Sequence, residues 1–183
     1  MKGLILLGAE NIKQNAWGAI NGCEAASLLE GLHFQKRAEM INYGQFLLDM
    51  PISADGNPYR GFGGSPFKNQ IGKFEAIFVT PLMQWGSRYG SLINLSGAAP
   101  WWLYQSVKEG SPVLVYVTVH FEDPKWEQYP FGKVPTNNHA VLLDGIDSDR
   151  VHVSDPIDGK YWLDRNKFET IYNSRRMAVT IQK

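Results

Sequence analysis

The sequence predicts an α+β fold from three observations. Apolar residues recur at helical spacing through the first third of the chain, the period changes to two at residue 113, and two aromatic-rich irregular segments interrupt the regular elements. The 183 residues, 44% hydrophobic and 20% charged, are one domain's length, enough to bury about 70% of the surface an unfolded chain exposes. No repeat or low-complexity tract divides them. The expectation is a single domain over residues 1–183, with a helical lobe over about 12–110 packed on an antiparallel sheet lobe over about 111–183.

Taken in order, Cys23 to Leu32 places Ala25, Ala26, Leu28, Leu29 and Leu32 on one stripe, and Arg37 to Met50 does the same with Met40, Ile41, Phe46 and Leu47. Thr80-Pro81 and Ser96 with Pro100 read as helix starts, and Gly110 as the stop of a helix over Ala99 to Glu109. Val113, Val115, Val117 and Val119 then alternate with Leu114, Tyr116, Thr118 and His120, which is a strand. Further strands are predicted at Asn138 to Ile146, Arg150 to Asp155, Lys160 to Leu163 and Met177 to Gln182, with Asp147-Ser148-Asp149 as the turn between the first two. Pro51 to Asn69 and Glu122 to Thr136 read as long loops. Their aromatic residues, Tyr59, Phe62, Phe67, Trp126, Tyr129 and Phe131 with Phe121 nearby, predict walls of a cleft rather than disorder.

Charge and composition narrow the function classes. Eighteen Lys and Arg balance eighteen Asp and Glu, so no field of excess charge draws nucleic acid, anionic lipid or basic partners. The apolar run Leu4 to Leu7 is too short for a signal-peptide core or an integral membrane segment. One cysteine excludes an intrachain disulfide and any multi-cysteine metal cluster. Gly61-Phe62-Gly63-Gly64-Ser65 lacks the Lys-Ser or Lys-Thr of a phosphate loop, and Asp144, Asp147 and Asp149 lack the glycine and glutamate of a calcium loop.

The chemistry-bearing residues are fewer. Cys23 follows Asn21-Gly22 at a helix start, where unpaired N–H groups and the dipole favour thiolate and predict a lowered pKa; as a lone cysteine it also fits a small core hydrophobe. His139 shares a strand face with Val141 and Leu143, and Asp155 one with Val151 and Val153. A hairpin through Asp147 to Asp149 sets Asp155 opposite His139 or one diagonal step away, as a base and its orienting acid. Each also has a plain role, His139 as a hydrogen-bonded strand end and Asp155 as a turn former before Pro156. His33 and His152 have no acid placed as well; His120 is the reserve base. An oxyanion would find the Cys23 N–H and, as a second donor, Gln14, with Asn15 and Asn21 as substitutes. Gly63, Gly64, Trp101, Trp102 and the Trp126 to Phe131 loop are candidate substrate walls, with core packing the favoured role for Trp101 and Trp102.

Asn21-Gly22-Cys23-Glu24-Ala25-Ala26-Ser27-Leu28, Asn57 to Pro66, Asn138-His139-Ala140-Val141-Leu142-Leu143-Asp144-Gly145 and Val153-Ser154-Asp155-Pro156 together resemble one family. It is the papain-like cysteine peptidases related to the bacteriocin leader-processing, or double-glycine, peptidases, in their stand-alone bacterial branch. The resemblance runs from Gln14 to about residue 180 and implies a papain-like fold with the cleft between the two lobes. It implies Cys23 as nucleophile, His139 as general base, Asp155 as its orienter and Gln14 in the oxyanion hole. It further implies a peptide or protein substrate, no metal or organic cofactor, and an extracellular or cell-envelope location. Two departures stand out: the Gln14 to Cys23 gap is longer than usual, and Glu24 stands where many relatives have glycine, its charge opposing thiolate formation. Rival expectations are an acyltransferase or deamidase sharing the thioester, and an inactive binding module for peptide or cell-wall ligands.

Overall fold

The structure, a computed structural model, describes residues 3–183. Among them the order is β1 (Ile5–Leu6), α1 (Cys23–Phe34), α2 (Tyr43–Leu48), α3 (Val79–Gly86), β2 (Leu92–Asn94), α4 (Pro100–Lys108), β3 (Val113–Thr118), β4 (Trp126–Tyr129), β5 (Gly132–Pro135), β6 (Asn138–Ile146), β7 (Arg150–Asp155), β8 (Gly159–Asp164), α5 (Arg165–Asn173) and β9 (Ala178–Ile181), with 3-10 turns at Gln14–Trp17 and Val119–Phe121. One antiparallel sheet runs β2-β9-β3-β6-β7-β8, with β1 paired to the far end of β6, and β4 and β5 form a separate hairpin.

Strand alternation decides which helices lie where. The even-numbered residues Leu114, Tyr116, Ala140 and Leu142 pack with α1, α2 and α3, while Val113, Val115, Val141, Val151 and Val153 pack with α4 and α5. Helices therefore cover both faces of a mixed α and antiparallel β fold. In β6 the register slips at Asp144, a bulge between Leu143 and Gly145. The bulged carboxylate accepts the Ala9 N–H at 2.9 Å and pairs with His152 Nδ1 at 2.6 Å, tying the N-terminal segment to the sheet.

Several expectations are corrected. The Arg37 to Met50 stripe holds a helix only over α2, because Asn42 caps it through a capping box with Gln45 and the backbone at Lys36 and Ala38 is left-handed. The loop expected at Glu122 to Thr136 contains the β4–β5 hairpin. The strand expected to run through Val119 and His120 ends at Thr118, where His120 takes φ +55°. Trp101 and Trp102 are more than half exposed, because Pro100 at the first helical position sets a phase that buries Leu103, Tyr104 and Val107 instead. β1, β2 and α5 were not predicted; α5 carries its own signal in the Asp164 cap and the Phe168, Ile171, Tyr172 spacing.

Candidate active site

The cleft is assembled at the end of the sheet where β6 begins. Its walls include Gln14, Asn21, Cys23, Asn69, Phe74, Glu75, Thr136, Asn138 and His139, around about 350 Å³. Asn69 and Thr136 close the two segments expected to wall a cleft, and Phe74 joins the wall to an aromatic cluster with Tyr129 and Phe131. A second hollow of about 460 Å³ over Glu10, His33 and Lys36 is lined by no cysteine, serine or threonine.

Cys23 is the first residue of α1. Gly22 precedes it because no side chain fits there: an added Cβ would lie 2.1 Å from the Tyr43 hydroxyl, which donates to the Gly22 carbonyl at 2.7 Å. The helix leaves the Cys23 N–H without an intrahelical acceptor. The thiol is 6% exposed, and its pKa is raised rather than lowered as expected. Burial is the main cause, followed by the charge and hydrogen bond of Glu24, whose Oε2 lies 3.2 Å from Sγ; the Ala140 N–H opposes them.

His139 and Asp155 meet across the β6–β7 hairpin. Leu142 faces Ser154 and Leu143 faces Val153, so Asp155 stands opposite Val141 and diagonal to His139 on one face, as the spacing predicts. His139 Nε2 lies 2.8 Å from Asp155 Oδ1, both side chains buried. An ionised carboxylate only accepts, so Nε2 carries the proton and Nδ1 is the basic nitrogen of the neutral ring. Asp155 also accepts from the N–H groups of Ile157 (2.8 Å) and Asp158 (3.3 Å) and from the Tyr161 hydroxyl (3.0 Å). Burial works to raise its pKa, but the His139 hydrogen bond and charge, with those two amides, outweigh it and hold the carboxyl below the usual value. Asp155 thus shapes the turn and holds the imidazole at once.

Gln14 reaches the cleft although it lies nine positions upstream of Cys23. Its segment is pinned by the Ile12 N–H on Glu30 (2.7 Å), Asn11 Nδ2 on the Asp155 carbonyl (2.9 Å) and its own N–H on the Pro156 carbonyl (3.1 Å). One hydrogen of Gln14 Nε2 goes to the Ile20 carbonyl at 2.7 Å, leaving the second; its buried Oε1 has no partner.

The other sequence candidates lie elsewhere. Gly63 is packed against backbone, an added Cβ lying 2.4 Å from the Phe74 carbonyl oxygen; neither it nor Gly64 nor the 41% exposed Trp126 lines the cleft. His120 pairs with Asp158 at 2.7 Å on the surface, His33 with Glu10, and His152 with Asp144. Sequence reasoning missed Asn138, Tyr161 and Arg175. Asn138 adjoins His139, and Tyr161 stands opposite Val153 and diagonal to Asp155 on the same face, two detectable signals; Arg175, just past α5, gave none.

Comparison with known proteins places this geometry. The fold matches the crystal structure of a protein described as a putative C39-like peptidase from Bacillus anthracis with a TM-score of 0.86 and 23% identity, covering 100% of this chain and 98% of that one. A double glycine motif protease from an AMS/PCAT transporter, solved in complex with its leader peptide, matches with a TM-score of 0.55 and 16% identity over 97% and 94% of the two chains. The uncharacterized protein YvpB of Bacillus subtilis (strain 168) is 27% identical over 177 residues, 89% of this chain and 70% of that protein. Among the described residues no helix is long and apolar enough to cross a membrane. The model of the Peptidase_C39 like family matches residues 6–179, nearly the whole length, and the chain belongs to that family.

Proposed function

We propose that the protein is a cysteine peptidase in which Cys23, His139 and Asp155 act as a triad through a thioester. The observation that carries this reading is the pair formed by His139 Nε2 and Asp155, which leaves Nδ1 as the base in the cleft that also holds Cys23. His139 takes the thiol proton, and the sulfur attacks the scissile carbonyl carbon while the carbonyl electron pair moves to oxygen. The Cys23 N–H and the second hydrogen of Gln14 Nε2 hold that oxyanion. His139 then protonates the leaving nitrogen as the C–N bond breaks, and later takes a proton from the water that hydrolyses the thioester. Asp155, held ionised by its four donors, keeps the ring in the tautomer this requires. Family and fold support a peptidase-type function.

The test incubates the protein with a proteome-derived peptide library and with a peptidyl acyloxymethyl ketone. New amino termini and a covalent label on Cys23, both absent in Cys23→Ala and His139→Ala, are expected. The absence of both cleavage and labelling in the wild type would overturn the assignment. A second reading, a peptide-binding module on a peptidase scaffold, is favoured by one observation: Cys23 is buried and its thiol is pushed up. It requires tight peptide binding by the wild type without turnover.

A further inference from the structure

The Cys23 sulfur faces an acid–base chain separate from the His139–Asp155 pair. Glu24 has no solvent exposure. Its Oε2 lies 3.2 Å from Cys23 Sγ and its Oε1 accepts from Asn138 Nδ2 at 3.0 Å. Asn138 Oδ1 in turn accepts from Arg175 Nη1 at 2.7 Å, and Arg175 Nη2 donates to the Val117 carbonyl at 2.6 Å. A first-turn carboxylate would serve the helix dipole equally well facing water. This one is turned inward, where an unpaired charge is costly, and an asparagine and an arginine are committed to it.

The direction of every bond follows from one residue. Arginine only donates, so Asn138 presents its oxygen to Arg175 and its nitrogen to Glu24. Glu24 Oε1 is therefore an acceptor, and Oε2 is left facing the thiol. We infer that Glu24 is a catalytic residue that accepts the Cys23 S–H, so that the resting nucleophile is a neutral thiol held by the Cys23–Glu24–Asn138–Arg175 chain and not a thiolate paired with His139. The inference rests on reading Cys23 as the nucleophile and adds a resting state to it.

Proton accounting agrees. Burial raises both groups, Cys23 well above its ordinary value and Glu24 against the pull of its hydrogen bonds, among them Asn138, so the thiol stays the weaker acid and the proton they share resides on sulfur. The other ionisable groups around the pair are Tyr43 from α2, Tyr116 from β3, His139 from β6, Asp155 from β7 and Glu30 farther along α1. Arg175, the cation of the set, remains protonated at neutral pH although burial lowers it to about 10. It balances one negative charge at Glu24 and leaves none for a simultaneous thiolate. Activation then breaks the S–H bond, leaves its electron pair on sulfur and forms an N–H bond at His139 Nδ1, while Glu24 keeps its charge.

The test is the rate of Cys23 alkylation by iodoacetamide across pH in the wild type and in Glu24→Gln, with circular dichroism to check folding. In Glu24→Gln the side-chain oxygen keeps the Asn138 bond, so the amide nitrogen faces Sγ and donates to it. The inflection is expected to fall by at least one unit, making alkylation at pH 7 about tenfold faster. An unchanged or slower rate overturns the inference. If the variant does not fold, the infrared S–H stretch of the wild type at pH 7 decides: a band absent from Cys23→Ser is expected, and no such band overturns the inference. Both readouts are independent of turnover, so a protein that cleaves nothing can still pass them, and a working peptidase can fail them.

Discussion

Asp155 holds His139 through a bond that only a carboxylate or another acceptor can accept. Asp155→Asn places an amide there, which can present its NH2 to the ring and reverse the tautomer. Peptide cleavage is expected to fall by about 10²-fold or more with the fold intact; a loss below about tenfold would mean that Asp155 serves the turn alone. Gln14→Ala is expected to lower kcat by about 10²-fold with little change in KM, as for a donor that acts on the oxyanion. A change confined to KM would place Gln14 in substrate binding. Cys23 and His139 are legible as candidates because cysteine and histidine are rare here and each stands at the start of a regular element. The raised thiol was not, since the expectation weighed the helix dipole and not the depth of burial.

Among the elements, the joint between Gly22 and α2 positions Cys23. The Tyr43 hydroxyl occupies the space a Cβ at residue 22 would need. Gly22→Ala is expected to cost about 1–3 kcal/mol and to slow Cys23 alkylation, measured by thermal melts and labelling rates. Adding Tyr43→Phe, which removes the clashing oxygen, should restore part of both; no recovery would locate the strain elsewhere. α5 matters because Arg175 follows it. Asp164 caps the helix by accepting the Lys167 N–H at 2.9 Å, and Asp164→Ala should cost about 1 kcal/mol. The hairpin register was legible, since alternating apolar residues fix which face each strand buries. The ends of α2 were not, because Met40 and Ile41 carry a helical spacing that local backbone geometry overrides.

On the scale of the whole molecule, the segment that carries Gln14 rests on a buried acid. Glu30, in the middle of α1, accepts the Ile12 N–H at 2.7 Å while its Oε2 has no partner. Burial, aided by the charges of Asp144 and Glu10, pushes its pKa well up against the pull of the Ile12 amide and Ser154. The folded state therefore keeps a proton that the unfolded chain releases above about pH 4.3. Its contribution to stability is full below that value and is lost as pH rises through the folded pKa. Glu30→Gln keeps the acceptor and removes the titration, so its melting temperature relative to wild type should climb between pH 4 and pH 8. A constant difference would show that Glu30 is ionised in the fold. Asp155, held low, acts in the opposite sense, losing its contribution only as pH falls below about 4.

Periodicity and turn length act over a few neighbouring residues, so they carry the α+β class, the helices α1, α3 and α4, the strands β3 and β6 to β9, and the diagonal meeting of His139 and Asp155. Only long-range packing decides that α4 covers the sheet face opposite α1, that Gln14 reaches the cleft holding Cys23 along a pinned segment, and that Glu24 points inward. The physical reason is distance along the chain. Glu24 turns toward the thiol because Asn138 and Arg175, 114 and 151 residues away (138 − 24 and 175 − 24), supply the donor and the charge that make its burial tolerable.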